Sequence, residues 1–159
     1  MIKLVIMDVD GTLTDGKINI SPNGELFKSF NVKDGYGIVN IQKKGVIPII
    51  LTGRNSEIVS IRANELKITD VRQGISDKIT ELRKILEHYN VTFDEVAYIG
   101  DDINDLDIFK SLKYTFAPND AYQSVKEIAY KILSLNGGEG AVREALDEII
   151  LINESVNNS

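Results

Sequence analysis

Short apolar runs alternate along the chain with segments in which apolar residues recur every three or four positions. The apolar runs are brief and rich in β-branched residues, which is typical of strands buried on both faces of a parallel sheet. They lie at residues 2–7, 46–53, 96–100 and 114–118. A weaker strand candidate lies at residues 70–74. We therefore expect four or five strands of one parallel sheet.

The intervening segments show helical periodicity. The clearest example is residues 78–90, where Ile79, Leu82 and Ile85 fall on one helix face. The other predicted helices cover residues 56–68, 102–112, about 121–134, and 140–151. Alternating strands and helices predict an α/β fold, in which a doubly wound, Rossmann-type parallel sheet is covered on both faces. We expect a single domain over residues 1–151 and a flexible polar tail over residues 152–159.

One segment interrupts this alternation directly after the first strand. Residues 17–32 contain two partly alternating runs separated by the turn sequence Ser-Pro-Asn-Gly at 21–24. Such a turn between alternating runs predicts a β-hairpin. The hairpin insert, at about 17–30, is too small to form a domain of its own.

Composition and charge narrow the possible functions. The chain has 159 residues and a net charge of -6, which gives no electrostatic support for nucleic-acid binding. It has no cysteine, so disulfides, thiolate metal sites and cysteine nucleophiles are excluded. The apolar run near the N-terminus is too short for a signal peptide or a membrane span. We expect a cytoplasmic protein without a membrane partner.

Polar residues gather where the predicted strands end. Because ligands of open α/β sheets bind outside the carboxyl ends of the strands, these side chains are expected to meet in one crevice. They are Asp8, Asp10, Thr52, Gly53, Arg54, Asp101, Asp102 and Asp105, joined by Lys78 at a helix start. Carboxylates suit Mg²⁺, and a hydroxyl and an ammonium suit the oxygens of a transferring phosphoryl group. Each feature alone has an ordinary alternative: a chance pair of aspartates, a helix cap, or a surface lysine. The occurrence of all these features in this order along the chain favours a catalytic site.

These residues resemble the motifs of the haloacid dehalogenase (HAD) superfamily of phosphotransferases. Asp-Val-Asp-Gly-Thr at 8–12, Thr52, Lys78 and the Gly-Asp…Asp pattern at 100–105 match its four motifs in order. The resemblance implies that Asp8 is the nucleophile and Asp10 the general acid and base. It implies further that Mg²⁺ is held by Asp8, the main-chain carbonyl of Asp10, and Asp101. Phosphate would be bound by Thr52, Gly53 and Lys78. Asp102 and Asp105 would support the site.

Four longer segments are similar to a narrower group, the capless sugar-acid phosphatases. They are residues 30–38, 50–59, 98–106 and 136–144. The resemblance implies an HAD-like domain with a hairpin after strand 1 and no cap domain. It implies a homotetramer in which a neighbouring subunit completes each active site. The Asn-Gly-Gly-Glu-Gly segment at 136–140 resembles a mobile segment of that group, although it could simply separate two helices.

The resemblance also suggests which sugar acid is hydrolysed. Thr-Gly-Arg at 52–54 is similar to the branch acting on 3-deoxy-D-manno-octulosonate (KDO) 8-phosphate, whereas nine-carbon, sialic-type branches carry Thr-Gly-Glu. Arginine suits the substrate carboxylate. The expected substrate-binding residues are Arg54, Arg62, Lys33 and Asp34. Arg62 could instead pair with Glu57 or Glu65. A nine-carbon acid 9-phosphate, a phosphoprotein, and a module without catalytic role stay open as alternatives.

Overall fold

A six-stranded parallel sheet forms the centre of the computed structural model, which describes residues 1–159. The strands are β1 Leu4–Met7, β2 Asn19–Ser21, β3 Gly24–Phe27, β4 Ile47–Leu51, β5 Asp70–Arg72, β6 Val96–Ile99, β7 Tyr114–Ala117 and β8 Lys131–Ile132. The sheet order is β5-β4-β1-β6-β7-β8, and every neighbouring pair is parallel. A separate antiparallel pair, β2-β3, forms the hairpin.

Helices cover both faces of the sheet. They are α1 Val32–Lys43, α2 Glu57–Glu65, α3 Lys78–Tyr89, α4 Leu106–Ser111, α5 Gln123–Lys126 and α6 Ala141–Asn157, with 3₁₀ turns at Phe93–Glu95 and Ile103–Asp105. In β1, Val5 and Met7 join the core beneath α1, α2 and α6, whereas Leu4 and Ile6 join the core beneath α3, α4 and α5. Both faces of this strand are buried, which explains its continuous apolar sequence. None of the helices combines the length and apolar composition that a membrane span requires.

The predicted fold class is confirmed: the chain is an α/β protein with a doubly wound parallel sheet, a hairpin insert after β1 and no cap domain. The hairpin lies within the expected range of 17–30. The division into a domain ending at residue 151 and a flexible tail stays a prediction. Helix α6 continues to Asn157, so most of the expected tail is helical.

The helices predicted from the sequence do not include one directly after the hairpin, and this omission is wrong. Residues 32–43 form α1, and Lys33 and Asp34 lie in its first turn. The Asn31 side chain caps this helix by accepting a hydrogen bond from the Lys33 amide at 2.8 Å. Gly35 lowers helix propensity, which hid the helix from sequence analysis. A Cβ there would lie 2.5 Å from Arg62 Nη2, so the flexible end of that side chain would have to move.

The prediction of a long helix at about 121–134 is also wrong. Only Gln123–Lys126 is helical, and Lys131–Ile132 forms the edge strand β8 beside β7. The Tyr130 amide donates to the Thr115 hydroxyl at 3.1 Å, and the Leu133 amide donates to the Ala117 carbonyl at 2.8 Å. The open edge of β7 supplies these hydrogen bonds, and no local sequence pattern predicts that pairing.

Candidate active site

The proposed catalytic residues follow three adjacent strands. Strand β1 lies between β4 and β6, with Met7 beside Ile50 on one side and Ile99 on the other. The chain therefore leaves these strands at one edge of the sheet. Asp8 and Asp10 follow β1, Thr52 and Gly53 follow β4, and Asp101 follows β6 by two residues. The expected convergence of the strand ends is thus present.

Three carboxylates form a tight cluster at this edge. Asp8, Asp101 and Asp105 each offer an oxygen, and these oxygens all lie within 4.8 Å of one another. Asp8 and Asp105 are buried, and Asp101 is partly buried. Burial and mutual repulsion disfavour ionised carboxylates, so such a cluster needs positive charge nearby.

Lys78, the first residue of α3, supplies one positive charge. Its ammonium lies 3.1 Å from Asp8 Oδ1 and 2.8 Å from Asp105 Oδ1, and its side chain is buried. Burial raises the pKa of Asp8 even though Lys78 opposes that shift. Burial and the charge of Asp8 raise the pKa of Asp101. A single ammonium does not balance three carboxylates, and a divalent cation among these oxygens would.

Both carboxylate oxygens of Asp105 already accept hydrogen bonds within the protein, so neither is free to bind such a cation. Its Oδ1 accepts hydrogen bonds from Lys78 and from the buried Tyr98 hydroxyl, and its Oδ2 accepts from the amides of Asp101, at 3.0 Å, and Asp102, at 3.3 Å. Asp105 therefore organises the loop after β6 and leaves Asp8 and Asp101 as the carboxylates suited to Mg²⁺. Asp102 is exposed, and its side chain accepts from the Ile103 amide at 2.7 Å.

Sequence analysis missed Tyr98 as part of this network. Its phenol is completely buried and also lies 3.4 Å from the Lys78 ammonium. Burial and the charge of Asp105 raise its pKa well above the ordinary range, so the hydroxyl keeps its proton and donates it in a hydrogen bond. A tyrosine inside an apolar strand has no feature in the sequence that distinguishes it from a core residue.

The Asp10 carboxylate does not belong to the three-carboxylate cluster. It accepts a hydrogen bond from the ammonium of Lys28 at 2.6 Å, and 21% of its side chain is exposed. Lys28 directly follows β3 of the hairpin and was not among the predicted site residues. The hairpin therefore contacts the proposed acid and base, a relationship that the spacing of the sequence motifs does not reveal.

The loop after β1 is packed closely from two sides. Gly11 has φ 85°, and a Cβ there would lie 1.9 Å from Asp101 Oδ2. Across the loop, a Cβ on Gly137 would lie 2.0 Å from the Gly11 carbonyl oxygen, and the Gly138 amide donates to the Thr12 carbonyl at 3.2 Å. The glycine-rich segment before α6 therefore rests directly on the loop that carries Asp8 and Asp10.

The predicted substrate-binding residues fall into different environments. Arg54 and Lys33 are exposed. Arg62 pairs with Glu65 at 3.2 Å, as one alternative anticipated, and lies over the Phe30 ring. Asp34 is buried, and its Oδ1 accepts from the Arg143 amide at 2.8 Å. This placement favours a structural role for Asp34 between α1 and α6.

Comparisons with known proteins agree with this geometry. A family model of haloacid dehalogenase-like hydrolases matches residues 51–146. The chain is 37% identical to the 3-deoxy-D-manno-octulosonate 8-phosphate phosphatase of Yersinia pestis, over 99% of this chain and 84% of that protein.

Solved structures give the same result. The phosphatase of the same name from Moraxella catarrhalis, in complex with magnesium, phosphate and KDO, has a TM-score of 0.91 and 37% identity, over 94% of this chain and 86% of that one. The cobalt-bound Haemophilus influenzae phosphatase has a TM-score of 0.91 and 41% identity, over 94% of this chain and 88% of that one. The chain therefore belongs to the haloacid dehalogenase-like hydrolases and, within them, to the capless group that contains the 3-deoxy-D-manno-octulosonate 8-phosphate phosphatases.

Proposed function

We propose that this protein is a Mg²⁺-dependent phosphomonoesterase that hydrolyses KDO 8-phosphate to KDO and inorganic phosphate. The observation that carries the chemistry is the placement of Asp8 between Lys78 and Asp101 at the end of β1. The substrate is supported by the similarity to relatives that bear this name, one of which was solved with magnesium, phosphate and KDO.

Hydrolysis begins with Asp8. Its carboxylate attacks phosphorus, the bond between phosphorus and the C8 oxygen of the sugar breaks, and an aspartyl-phosphate forms. Asp10 gives a proton to the departing oxygen, which leaves as the sugar hydroxyl. The Lys78 ammonium already contacts Asp8 and therefore orients the nucleophile toward the phosphoryl group. Thr52, Gly53 and Lys78 bind the phosphoryl oxygens.

Water then releases the phosphate. Asp10, now deprotonated, takes a proton from a water molecule whose oxygen attacks phosphorus. The bond between phosphorus and the Asp8 oxygen breaks, which frees inorganic phosphate and restores the Asp8 carboxylate. Asp10 is suited to both steps because its carboxylate is partly exposed, whereas Asp8 is buried.

Asp8, Asp101 and the main-chain carbonyl of Asp10 would hold the Mg²⁺ ion. The ion, when bound, neutralises the charge that gathers on the phosphoryl oxygens and relieves the repulsion between the carboxylates. This assignment fits the donor set, since hard oxygen ligands suit Mg²⁺ and the cluster carries more negative than positive charge.

The sugar acid carries a carboxylate that needs a cationic partner. Arg54 is exposed two residues after Thr52, so it lies beside the proposed phosphate site. Its planar guanidinium can bind a carboxylate through two hydrogen bonds. Lys33 and Arg62 are further candidates. Asp34 could take part only through its effect on the position of α6, because its carboxylate is buried.

A homotetramer would complete the active sites. The hairpin exposes a set of large apolar side chains, namely Ile18, Ile20, Leu26 and Phe27. An isolated two-stranded hairpin is marginally stable in water, and an exposed apolar patch marks an association site.

The predicted cytoplasmic location stays a prediction. The substrate would place the enzyme in lipopolysaccharide precursor synthesis.

The test is phosphate release, with Mg²⁺ and with EDTA, from KDO 8-phosphate, a nine-carbon sialic-type 9-phosphate, a phosphopeptide and p-nitrophenyl phosphate. We expect kcat/KM for KDO 8-phosphate to be at least about tenfold above every rival, which is about 1.4 kcal/mol of transition-state preference. Asp10→Asn should fold normally and lower kcat/KM for KDO 8-phosphate by about 10²–10⁴-fold, the usual contribution of a general acid. A higher kcat/KM for a rival would overturn the substrate, and no metal-dependent release from any compound would indicate a module without catalytic role.

A further inference from the structure

Lys28 has a side chain that is almost fully covered and has two carboxylate partners. Only 4% of its side chain is exposed, and its ammonium lies 2.6 Å from Asp10 Oδ1 and 3.2 Å from Glu25 Oε2. Lysine is rarely buried unless its charge is paired. The hairpin thus brings a covered ammonium group to Asp10, although Lys28 lies outside every motif that points to catalysis.

Glu25 is itself held by the main domain. Its Oε1 accepts a hydrogen bond from the Ser56 hydroxyl, and the Ser56 hydroxyl oxygen in turn accepts from the Val59 amide at 3.3 Å as the cap of α2. The Ser56 amide donates to the Gln73 side chain at 2.7 Å. Glu25 therefore links Lys28 to the start of α2, so the position of Lys28 does not depend on the hairpin alone.

Asp10 needs such a partner. Its carboxylate is 21% exposed and stands outside the cluster around Lys78, so nothing in that cluster fixes its side-chain rotamer. Charge-assisted hydrogen bonds are short and directional, and a misplaced catalytic group loses much of its effect. We propose that Lys28 is the positioning residue of Asp10: it holds the carboxylate in the orientation required for proton transfer and makes the β2-β3 hairpin part of the catalytic apparatus.

This inference rests on the proposed function, in which Asp10 protonates the departing sugar oxygen. It predicts a dependence on the leaving group that a structural lysine would not produce. A sugar alkoxide leaves poorly without a proton, whereas p-nitrophenolate leaves well without one. Because kcat/KM covers the steps up to phosphoenzyme formation, loss of Asp10 alignment should lower kcat/KM for KDO 8-phosphate far more than for p-nitrophenyl phosphate.

The experiment compares Lys28→Met with wild type in saturating Mg²⁺. Lys17→Met, an exposed lysine of the same insert, is the matched control. General acid catalysis typically contributes about 10²–10⁴-fold, so we expect the ratio of the two kcat/KM values to shift by at least about tenfold in Lys28→Met and to stay unchanged in Lys17→Met. The ratio does not depend on the fraction of folded enzyme, so partial unfolding cannot imitate this result. Lys28→Gln serves if Lys28→Met does not fold.

A double-mutant cycle identifies Asp10 as the group through which Lys28 acts. In an Asp10→Asn background, Lys28→Met should not shift the ratio further, because the aligned proton donor is already absent. An unchanged ratio in Lys28→Met, or an equal shift in both backgrounds, would overturn the inference while leaving the phosphatase assignment intact. A wild-type protein that hydrolyses neither substrate would overturn the proposed function and the inference together.

Discussion

The ammonium of Lys78 lies 2.8 Å from Asp105 Oδ1, and both side chains are buried. Asp105 also accepts hydrogen bonds from the amides of Asp101 and Asp102. The pair therefore connects the start of α3 to the loop after β6 and holds Lys78 against Asp8. Buried ion pairs add little net stability, but the loss of one partner is costly because the other remains charged and buried.

Lys78→Met should therefore destabilise the protein and abolish turnover. We expect the free energy of unfolding in EDTA to fall by about 3–5 kcal/mol, since two buried carboxylates lose their counter-charge. Urea denaturation measures this free energy of unfolding. Lys84→Met removes an exposed lysine of the same helix and should change the free energy of unfolding by less than about 0.5 kcal/mol. Equal losses in the two variants would contradict the role of the buried pair.

Mg²⁺ should stabilise the folded protein through Asp101. A ligand that binds only the folded state at 100 times its Kd adds about 2.7 kcal/mol to the free energy of unfolding. We expect Mg²⁺ to raise the Tm of the wild type and to have no effect on Asp101→Asn. Asp94→Asn, an exposed aspartate before β6, should respond like the wild type. Calorimetry with and without Mg²⁺ tests this, and a retained Tm shift in Asp101→Asn would place the ion elsewhere.

The strands that carry the site are predictable because they are buried on both faces and therefore have continuous apolar sequences. The polar residues that follow β1, β4 and β6 must then lie at one edge of the sheet. Helix α1 was missed because two glycines in its first half, Gly35 and Gly37, lower helix propensity. Lys28 and Tyr98 were missed because their roles depend on contacts with Asp10 and Asp105 across the fold, and no spacing rule encodes such contacts.

Asp34 should make stability depend on pH. Burial raises its pKa from 3.8 to about 6, and the Arg143 amide and the charges of Arg62 and Arg143 only partly oppose that shift. Between these values the folded state binds more protons than the unfolded chain. The stability contributed by this group is therefore complete below pH 3.8 and is lost as pH rises to about 6.

The measurement is the free energy of unfolding of wild type and Asp34→Asn from pH 4 to pH 7. Asparagine can still accept the hydrogen bond of the Arg143 amide but carries no charge. The stability of Asp34→Asn relative to wild type should rise over this range by on the order of 3 kcal/mol. Asp147→Asn changes an exposed partner of Arg143 and should show no such trend. A constant difference for Asp34→Asn would contradict the raised pKa.

Gly137→Ala should reduce turnover by moving the loop after β1. The added methyl would lie 2.0 Å from the Gly11 carbonyl oxygen and 2.9 Å from that of Thr14, so the glycine-rich segment or the loop must shift. A displacement of about 1 Å in a catalytic loop can lower kcat/KM about 100-fold. Gly45→Ala is the control, because it strains a φ of 85° without meeting any atom within 4 Å. It should lose stability but keep kcat/KM, and equal activity in both variants would show that the contact is unimportant.

Arg54 should determine recognition of the sugar acid without affecting the chemistry. Its guanidinium is exposed beside Thr52, so Arg54→Ala should lower kcat/KM for KDO 8-phosphate by about 10- to 100-fold, the value of a charged hydrogen bond to a carboxylate. Turnover of p-nitrophenyl phosphate, which has no carboxylate, should change less than about twofold. Arg83→Ala, an exposed arginine of α3, should alter neither. Arg54→Lys separates charge from shape: lysine keeps the charge but not the two parallel donors, so it should restore only part of the loss. A parallel loss on both substrates would instead assign Arg54 to the phosphate.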